Sequence, residues 1–296
     1  METRVAALSP NPTIDDPSVA AIPEGPVTRI SATAPAPLFP ATDVWRFRGL
    51  LYFLTLRNIQ LRYKQTAFGF AWAVFQPLLI ALSLSMFLGK LVTLPSGSVS
   101  YLAFVYAAMV PWQLFAQVVN EVSQSLNANA SLITKVYFPR LLLPLSSVGA
   151  GLMDALIRLV VLLPILAHYH IRPTVAILAA PLFMLLAVLC ALGAGLTLAA
   201  LNARYRDVNQ ALGIVLQFLF FASPVAFPST VVSSRWTFWY GLNPLVGSIE
   251  GFRWSVLGTG SAPVVPLLAA AIITAVLLVT GLYYFHRAEK SFADVI

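Results

Sequence analysis

The sequence predicts an all-α polytopic membrane protein: six transmembrane helices, an amphipathic helix before the first, a cytoplasmic helix inside the bundle's longest inner loop, and re-entrant helices on the outside. Three observations predict it. Five stretches, between Lys64 and Lys90, Lys90 and Glu121, Arg172 and Arg204, Asp207 and Arg235, and Arg253 and Arg287, run 25 to 33 residues without a formal charge. About 20 apolar residues suffice to cross the hydrocarbon core of a bilayer. A sixth interval, Arg140 to Arg172, contains only Asp154 and Arg158 as formal charges and otherwise reads LLLPLSSVGAGLM and LVVLLPILA. The composition, 59% hydrophobic and 10% charged over 296 residues, is far outside the range of soluble globular domains.

Residues 1–42 hold eight of the 21 prolines and six charges of mixed sign. Such a segment cannot bury enough apolar surface to offset its ordering entropy, so a disordered cytoplasmic tail is expected. It has no apolar run of the secretory-signal kind, which leaves the first span to direct insertion. Over 43–66 the pattern changes to a basic amphipathic helix. Phe47, Leu50, Leu51 and Leu54 share one face, flanked by Arg46, Arg48 and Arg57, with Trp45 and Tyr52 suited to a half-wetted layer. With no soluble core to cover, this stripe is expected to lie in the headgroup plane. The spans follow within a membrane domain at 67–287: 69–89, 101–119, 141–167, 175–200, 208–228 and 264–285, with a second cytoplasmic tail at 288–296.

Two connections are unusual. Residues 120–137 are too polar to cross and too long for a turn, yet Val119, Val122, Leu126, Ala130 and Ile133 repeat at helical spacing opposite Glu121, Gln124, Asn127 and Ser131. That predicts an amphipathic helix offered to a partner; the Asn129-Ala130-Ser131 sequon on this inner loop is accidental. Residues 229–258 carry Trp236, Phe238, Trp239, Tyr240, Phe252 and Trp254 but are broken by Asn243-Pro244 and four glycines, so two short helices dipping into the outer leaflet are expected.

The basic residues orient the chain. With both termini inside, the inner loops hold Arg57, Arg62, Lys64, Lys135, Arg140, Arg204, Arg206, Arg287 and Lys290, and the outer ones Lys90, Arg172, Arg235 and Arg253, nine against four. This asymmetry accounts for the net charge of +7 and leaves no basic patch for nucleic acid. The lone Cys190 is a packing residue in an apolar run.

Most chemistry is excluded by what the chain lacks. No Gly-x-x-x-x-Gly-Lys-Ser/Thr occurs, so ATP cannot be bound through a P-loop of this chain. His168 and His170 have no further His or Cys nearby to complete a metal site, and Glu250 with Arg253 reads as a local salt pair. Asp154 and Arg158, four apart on one helical face, fit a structural ion pair, a substrate contact or ion coupling; an intramembrane charge is a functional candidate by default. What remains is aromatic: Trp72, Phe75, Phe104, Trp112, Phe115, Phe218 and Phe221 load spans one, two and five. They form either an interfacial belt with core packing or a conduit whose ring faces pass the C–H faces of sugar rings.

The runs LTLRNIQLRYKQTAFGFAWAVFQPLL (54–79), VPWQLFAQVVNEVSQSLNANASLITKVYFPRLLLPL (110–145), LNARYRDVNQ (201–210), FASPVAFP (221–228) and LNPLVGSIEGFRW (242–254) resemble, in order, the permease subunit of type-2 ABC exporters for O-antigen, capsule and teichoic-acid polysaccharides. The resemblance spans roughly residues 45–285. It implies a homodimer of permeases with two cytoplasmic ABC ATPase subunits that hold ATP and Mg²⁺, moving an undecaprenyl-linked glycan across the bacterial inner membrane. It assigns 44–62 to an interface helix and 120–137 to a coupling helix seated in the ATPase, where Asn120, Glu121, Leu126, Asn129, Ile133 and Lys135 are the candidate contacts. It assigns 229–258 to outer gate helices carrying Trp236, Trp239, Asn243, Pro244, Glu250 and Arg253. The alternatives are a type-2 exporter of a drug or lipid, and a membrane glycosyl- or acyltransferase, for which no catalytic cluster is present.

Overall fold

The computed structural model describes residues 41–64, 71–89, 99–136, 138–205, 207–258, 262–289 and 292. The proline-rich stretch before residue 41, most of the tail after 288, Lys90, Tyr137 and Arg206 lie outside them. All regular structure among the described residues is helical. Two helices precede the bundle, α1 (Ala41–Arg46) and α2 (Arg48–Lys64). Five helices are long and apolar enough to span a membrane: α3 (Ala71–Leu88), α4 (Tyr101–Gln124), α6 (Leu142–His168), α7 (Ala180–Arg204, led by a 3₁₀ turn from Val175) and α11 (Val264–Glu289). Between them lie α5 (Ala130–Lys135), α8 (Val208–Phe221), α9 (Ser234–Gly241) and α10 (Pro244–Leu257).

The fifth expected span is shorter than 208–228. Helix α8 stops at Phe221 after 14 residues, about 21 Å at 1.5 Å per residue against a core of about 30 Å. Residues 222–228 turn instead, because Pro224 and Pro228 withhold donors from any continued helix.

Helix α4 is the hub, packing on α3, α6, α7, α8 and α10. It is the most buried span, with Ala103, Val105, Tyr106, Ala107, Ala108, Met109 and Val110 all enclosed. Helices α3 and α11 are peripheral and show most of their length to the surroundings. Lipid tails are as apolar as leucine, so close approach of small residues must supply the packing that water would drive elsewhere. The crossing of α7 and α11 shows this. A Cβ on Gly281 would sit 2.2 Å from the Gly193 carbonyl oxygen, and one on Gly193 would sit 2.6 Å from the Leu277 carbonyl carbon.

Helix α2 corrects the expectation for its apolar stripe. Leu54 is buried and Phe47, Leu50 and Leu51 pack against a second core cluster formed by Leu126, Ile133, Phe138, Leu141–Leu143, Leu196 and Phe285. The stripe therefore covers protein, and α2 lies on α6. Trp45, Tyr52, Phe53 and Leu61 are the residues left outward.

The 120–137 segment is likewise not one helix. It comprises the last turn of α4, a 3₁₀ turn at Asn127–Asn129 and the short α5. Its apolar stripe is not offered outward, since Val119, Val122, Leu126 and Ile133 are buried against this chain's own helices.

Candidate functional site

A network of charges joins the end of α2 to α4 and α6. Asp154, on α6, is 2% exposed at its side chain. Arg62 of α2 stands 2.8 Å from its Oδ2, while Arg158, four residues along the same helix, is 3.8 Å away. The nearest cation to Asp154 is thus a residue 92 positions earlier in the chain and not its helical neighbour. Tyr63 donates its hydroxyl to Asp154 Oδ1, and Gln117 of α4 donates through Nε2 to Oδ2 at 2.6 Å. Gln117 also bridges the pair, because its Oε1 accepts from Arg158 Nη2 at 2.9 Å. Its amide further reaches Glu121 Oε1 at 3.1 Å, which is paired in turn with Arg62.

Two arginines therefore face two carboxylates, and the cluster is neutral. That balance is what permits burial: an isolated ion costs several kcal/mol to remove from water, and only good geometry with further hydrogen bonds repays it. Arg158 is the weak member, since its Nε and Nη1 are buried with no hydrogen-bond partner. Burial, aided by the hydrogen bond to Asp154, pushes the Tyr63 phenol well above its ordinary pKa and keeps it a donor at neutral pH. From the sequence Arg62 was read only as an inner-loop charge, and neither Tyr63 nor Gln117 was given a part in this network. A glutamine four residues before Glu121, within a charge-free span, was the available signal.

A cleft of about 280 Å³ opens beside this network, lined by Asn58, Arg62, Asn120, Glu121, Gln124 and Asn129 among others. Its floor is a pinned knuckle. Arg57 of α2 donates to Asn129 Oδ1, Asn129 Nδ2 donates to the Ser125 carbonyl at 2.8 Å, and Asn127 donates to the Asn202 carbonyl on α7 at 3.1 Å. Asn202 returns a bond to the Ser123 carbonyl at 3.0 Å. Of the expected coupling residues, Leu126, Asn129 and Ile133 are consequently internal, Glu121 is half-buried in the network, and Asn120 and Lys135 are exposed. The surface the knuckle presents is mostly polar, Asn120, Asn127, Ser131, Thr134 and Lys135, with Ala128 and Val136 exposed among them.

At the opposite end, Asn243 caps α10. Its Oδ1 accepts from Leu245 N at 3.0 Å, its Nδ2 donates to Ser223 Oγ at 2.9 Å, and Pro244 occupies the first helical position, where a missing N–H costs nothing. Glu250 accepts from Ser229 N at 3.1 Å and lies 3.7 Å from Arg253, whose guanidinium stacks 4.0 Å from the Phe104 ring centre. Trp236 and Trp239 on α9 are exposed.

The seven candidate conduit rings do not form one lining. Trp112 and Phe115 are buried in the core, with Trp112 edge-on to Phe220 at 5.5 Å, and Phe104 is held between Tyr101 and Arg253. Trp72 and Phe75 on α3, and Phe218 and Phe221 on α8, are the rings that open outward, each more than half exposed.

Residues 49–257 match the sequence profile described as ABC-2 type transporter. The chain is 27% identical over 249 residues to the O-antigen export system permease protein RfbA of Klebsiella pneumoniae, covering 83% of this chain and 95% of that one. It is 27% identical over 256 residues to the protein of the same name from Myxococcus xanthus, covering 86% and 98%. It is 25% identical over 244 residues to the polysialic acid transport protein KpsM of Escherichia coli, covering 80% and 93%.

Proposed function

This chain belongs to the ABC-2 type transporter family, and we infer from that premise that it is the membrane-spanning permease of an ATP-driven polysaccharide exporter. It is a transport subunit, not an enzyme; ATP is hydrolysed by a separate ATPase, in keeping with a sequence that carries no P-loop. It resides as a multi-span protein in the inner membrane. The observation that carries the reading is the similarity itself, which runs through nearly the whole length of proteins named for O-antigen export and for polysialic acid transport.

Beyond this, two copies of the chain pair with two ATPase subunits that bring ATP and Mg²⁺, both termini face the cytoplasm, and the cargo is an undecaprenyl-linked glycan of the O-antigen or capsular kind. The nine-to-four division of basic residues supports the orientation. The outward rings on α3 and α8 support an aromatic path completed by the second copy, since α8 is too short to cross alone. The polar knuckle supports docking of the ATPase, with motion passed to the bundle through Arg57, Arg62 and the Asp154 network. The outer helices α9 and α10 serve as the gate.

The test is complementation. The chain, expressed with its ATPase in a strain lacking a glycan export permease, should restore surface glycan, and lipid-linked glycan should stimulate ATP hydrolysis by the purified complex. Stimulation by small amphiphiles in place of glycan would instead assign the chain to a drug or lipid exporter.

A further inference from the structure

A second cavity, of about 490 Å³, lies between the ends of α7 and α11. Arg204 and Arg287 line it together with Tyr284, over a floor that includes Ala200 and Phe292. Both arginines are exposed, and neither has a carboxylate within salt-bridge distance among the described residues. Arg204 lies 5.6 Å from the Tyr205 ring centre, while a third cation, Arg140, stacks 5.9 Å from Phe292 and donates to the Glu289 carbonyl. Neither the Arg204 nor the Arg287 guanidinium is thus locked in an ion pair among the described residues, in contrast to Arg62 in the network around Asp154.

From this cavity an apolar track runs along α11. Val265, Leu268, Ile272, Val276, Val279 and Tyr283 are all exposed and fall at helical spacing on one face. The track ends at Tyr284 and Arg287, in the lining of the cavity. An amphiphile with long apolar chains and an anionic head satisfies both parts at once, whereas a soluble anion would use only the arginines.

We propose that this pocket binds the phosphate of an anionic bilayer phospholipid, with Arg204 and Arg287 holding the headgroup and an acyl chain lying along α11. Basic pockets between spans at a membrane boundary take such headgroups because bidentate guanidinium contacts to phosphate are made where solvent screening is reduced. The inference requires only that the chain spans a membrane, so it stands or falls apart from the glycan that is exported.

The experiment is native mass spectrometry of the full chain released from detergent and titrated with tetraoleoyl cardiolipin, dioleoyl phosphatidylglycerol, dioleoyl phosphatidylcholine, undecaprenyl diphosphate and inorganic pyrophosphate. Cardiolipin and phosphatidylglycerol should bind about thirtyfold more tightly than phosphatidylcholine, from about 1 kcal/mol for each of two arginines. Arg204→Gln with Arg287→Gln should abolish this preference, and Arg204→Lys with Arg287→Lys should keep it, with the melting temperature unchanged in both because the side chains are exposed. An unaltered preference in the glutamine variant, or no preference in the native chain, overturns the proposal. So does stronger retention of undecaprenyl diphosphate than of cardiolipin, which would make the pocket a cargo site, or displacement by pyrophosphate alone, which would make it a site for a soluble anion.

Discussion

Replacing Asp154 by Asn removes one negative charge from a balanced four-member cluster and leaves Arg62 and Arg158 facing Glu121 alone. The two arginines are not equally affected. Arg62 is 38% exposed and can turn its charge to solvent, so its loss is small. Arg158 is 4% exposed, already has two unpartnered nitrogens, and loses its only close carboxylate. Stranding such a charge costs on the order of 3 to 5 kcal/mol. Arg158→Gln should cost less, because Asp154 keeps Arg62, Tyr63 and Gln117. Combining Asp154→Asn with Arg158→Gln removes the stranded charge and should recover most of the loss. At roughly 2 to 4 °C per kcal/mol for a chain of this size, Asp154→Asn should lower the melting temperature by about 6 to 20 °C, with at least half returned in the double variant. Melting of the detergent-purified permease, followed for the native chain, both single variants and the double variant, closes the cycle. Additive losses in the double variant would refute the reasoning, as would a larger loss from Arg62→Gln than from Asp154→Asn.

Three further outcomes are expected. Ser131→Glu with Lys135→Glu on the knuckle's exposed face should reduce co-purification of the ATPase without changing the melting temperature, whereas Leu126→Asp or Ile133→Asp should destabilise the permease itself by placing an unpaired carboxylate in the core. Alanine at Trp72, Phe75, Phe218 or Phe221 should reduce surface glycan at constant stability, while alanine at Trp112 or Phe115 should cost about 3 to 5 kcal/mol and lower export only in step with melting temperature. Gly193→Leu should force α7 and α11 apart, since even a Cβ there meets the Leu277 and Leu278 backbone at 2.6 Å, and the yield of folded permease should fall sharply.

The spans were legible because insertion is governed by long charge-free runs, which a sequence displays directly. The end of α8 was also written in the chain, at Pro224 and Pro228, but a charge-free run of 27 residues between Asp207 and Arg235 conceals the break. The stripe of α2 was expected at the membrane surface and that of 120–137 against a partner, and both instead pack inside this chain. Periodicity states that a face is apolar without stating what covers it, and here this chain's own helices do: Leu54, Leu126 and Ile133 share one cluster with Leu142, Leu196 and Phe285. Asp154 was found because a carboxylate in a span is conspicuous, and Arg158 was paired with it because only neighbours four apart are visible along one helix. Arg62 and Gln117 required the fold, since their approach is set by the crossings of α2, α4 and α6.

The long reach of the Asp154 network also dictates an order of construction. Tyr63 and Asp154 are 91 residues apart, which at about 5 to 20 residues per second is a delay of roughly 5 to 18 s during synthesis. Throughout that interval the first helix has left the ribosome while the carboxylate that seats it has not. Its arginines and its outward Trp45 and Tyr52 suit a wait at the membrane surface. Helix α2 is thus made before every span yet cannot dock until α6 has followed, and a chain cut short before α6 would advertise its incompleteness through an unseated basic helix open to quality-control proteases.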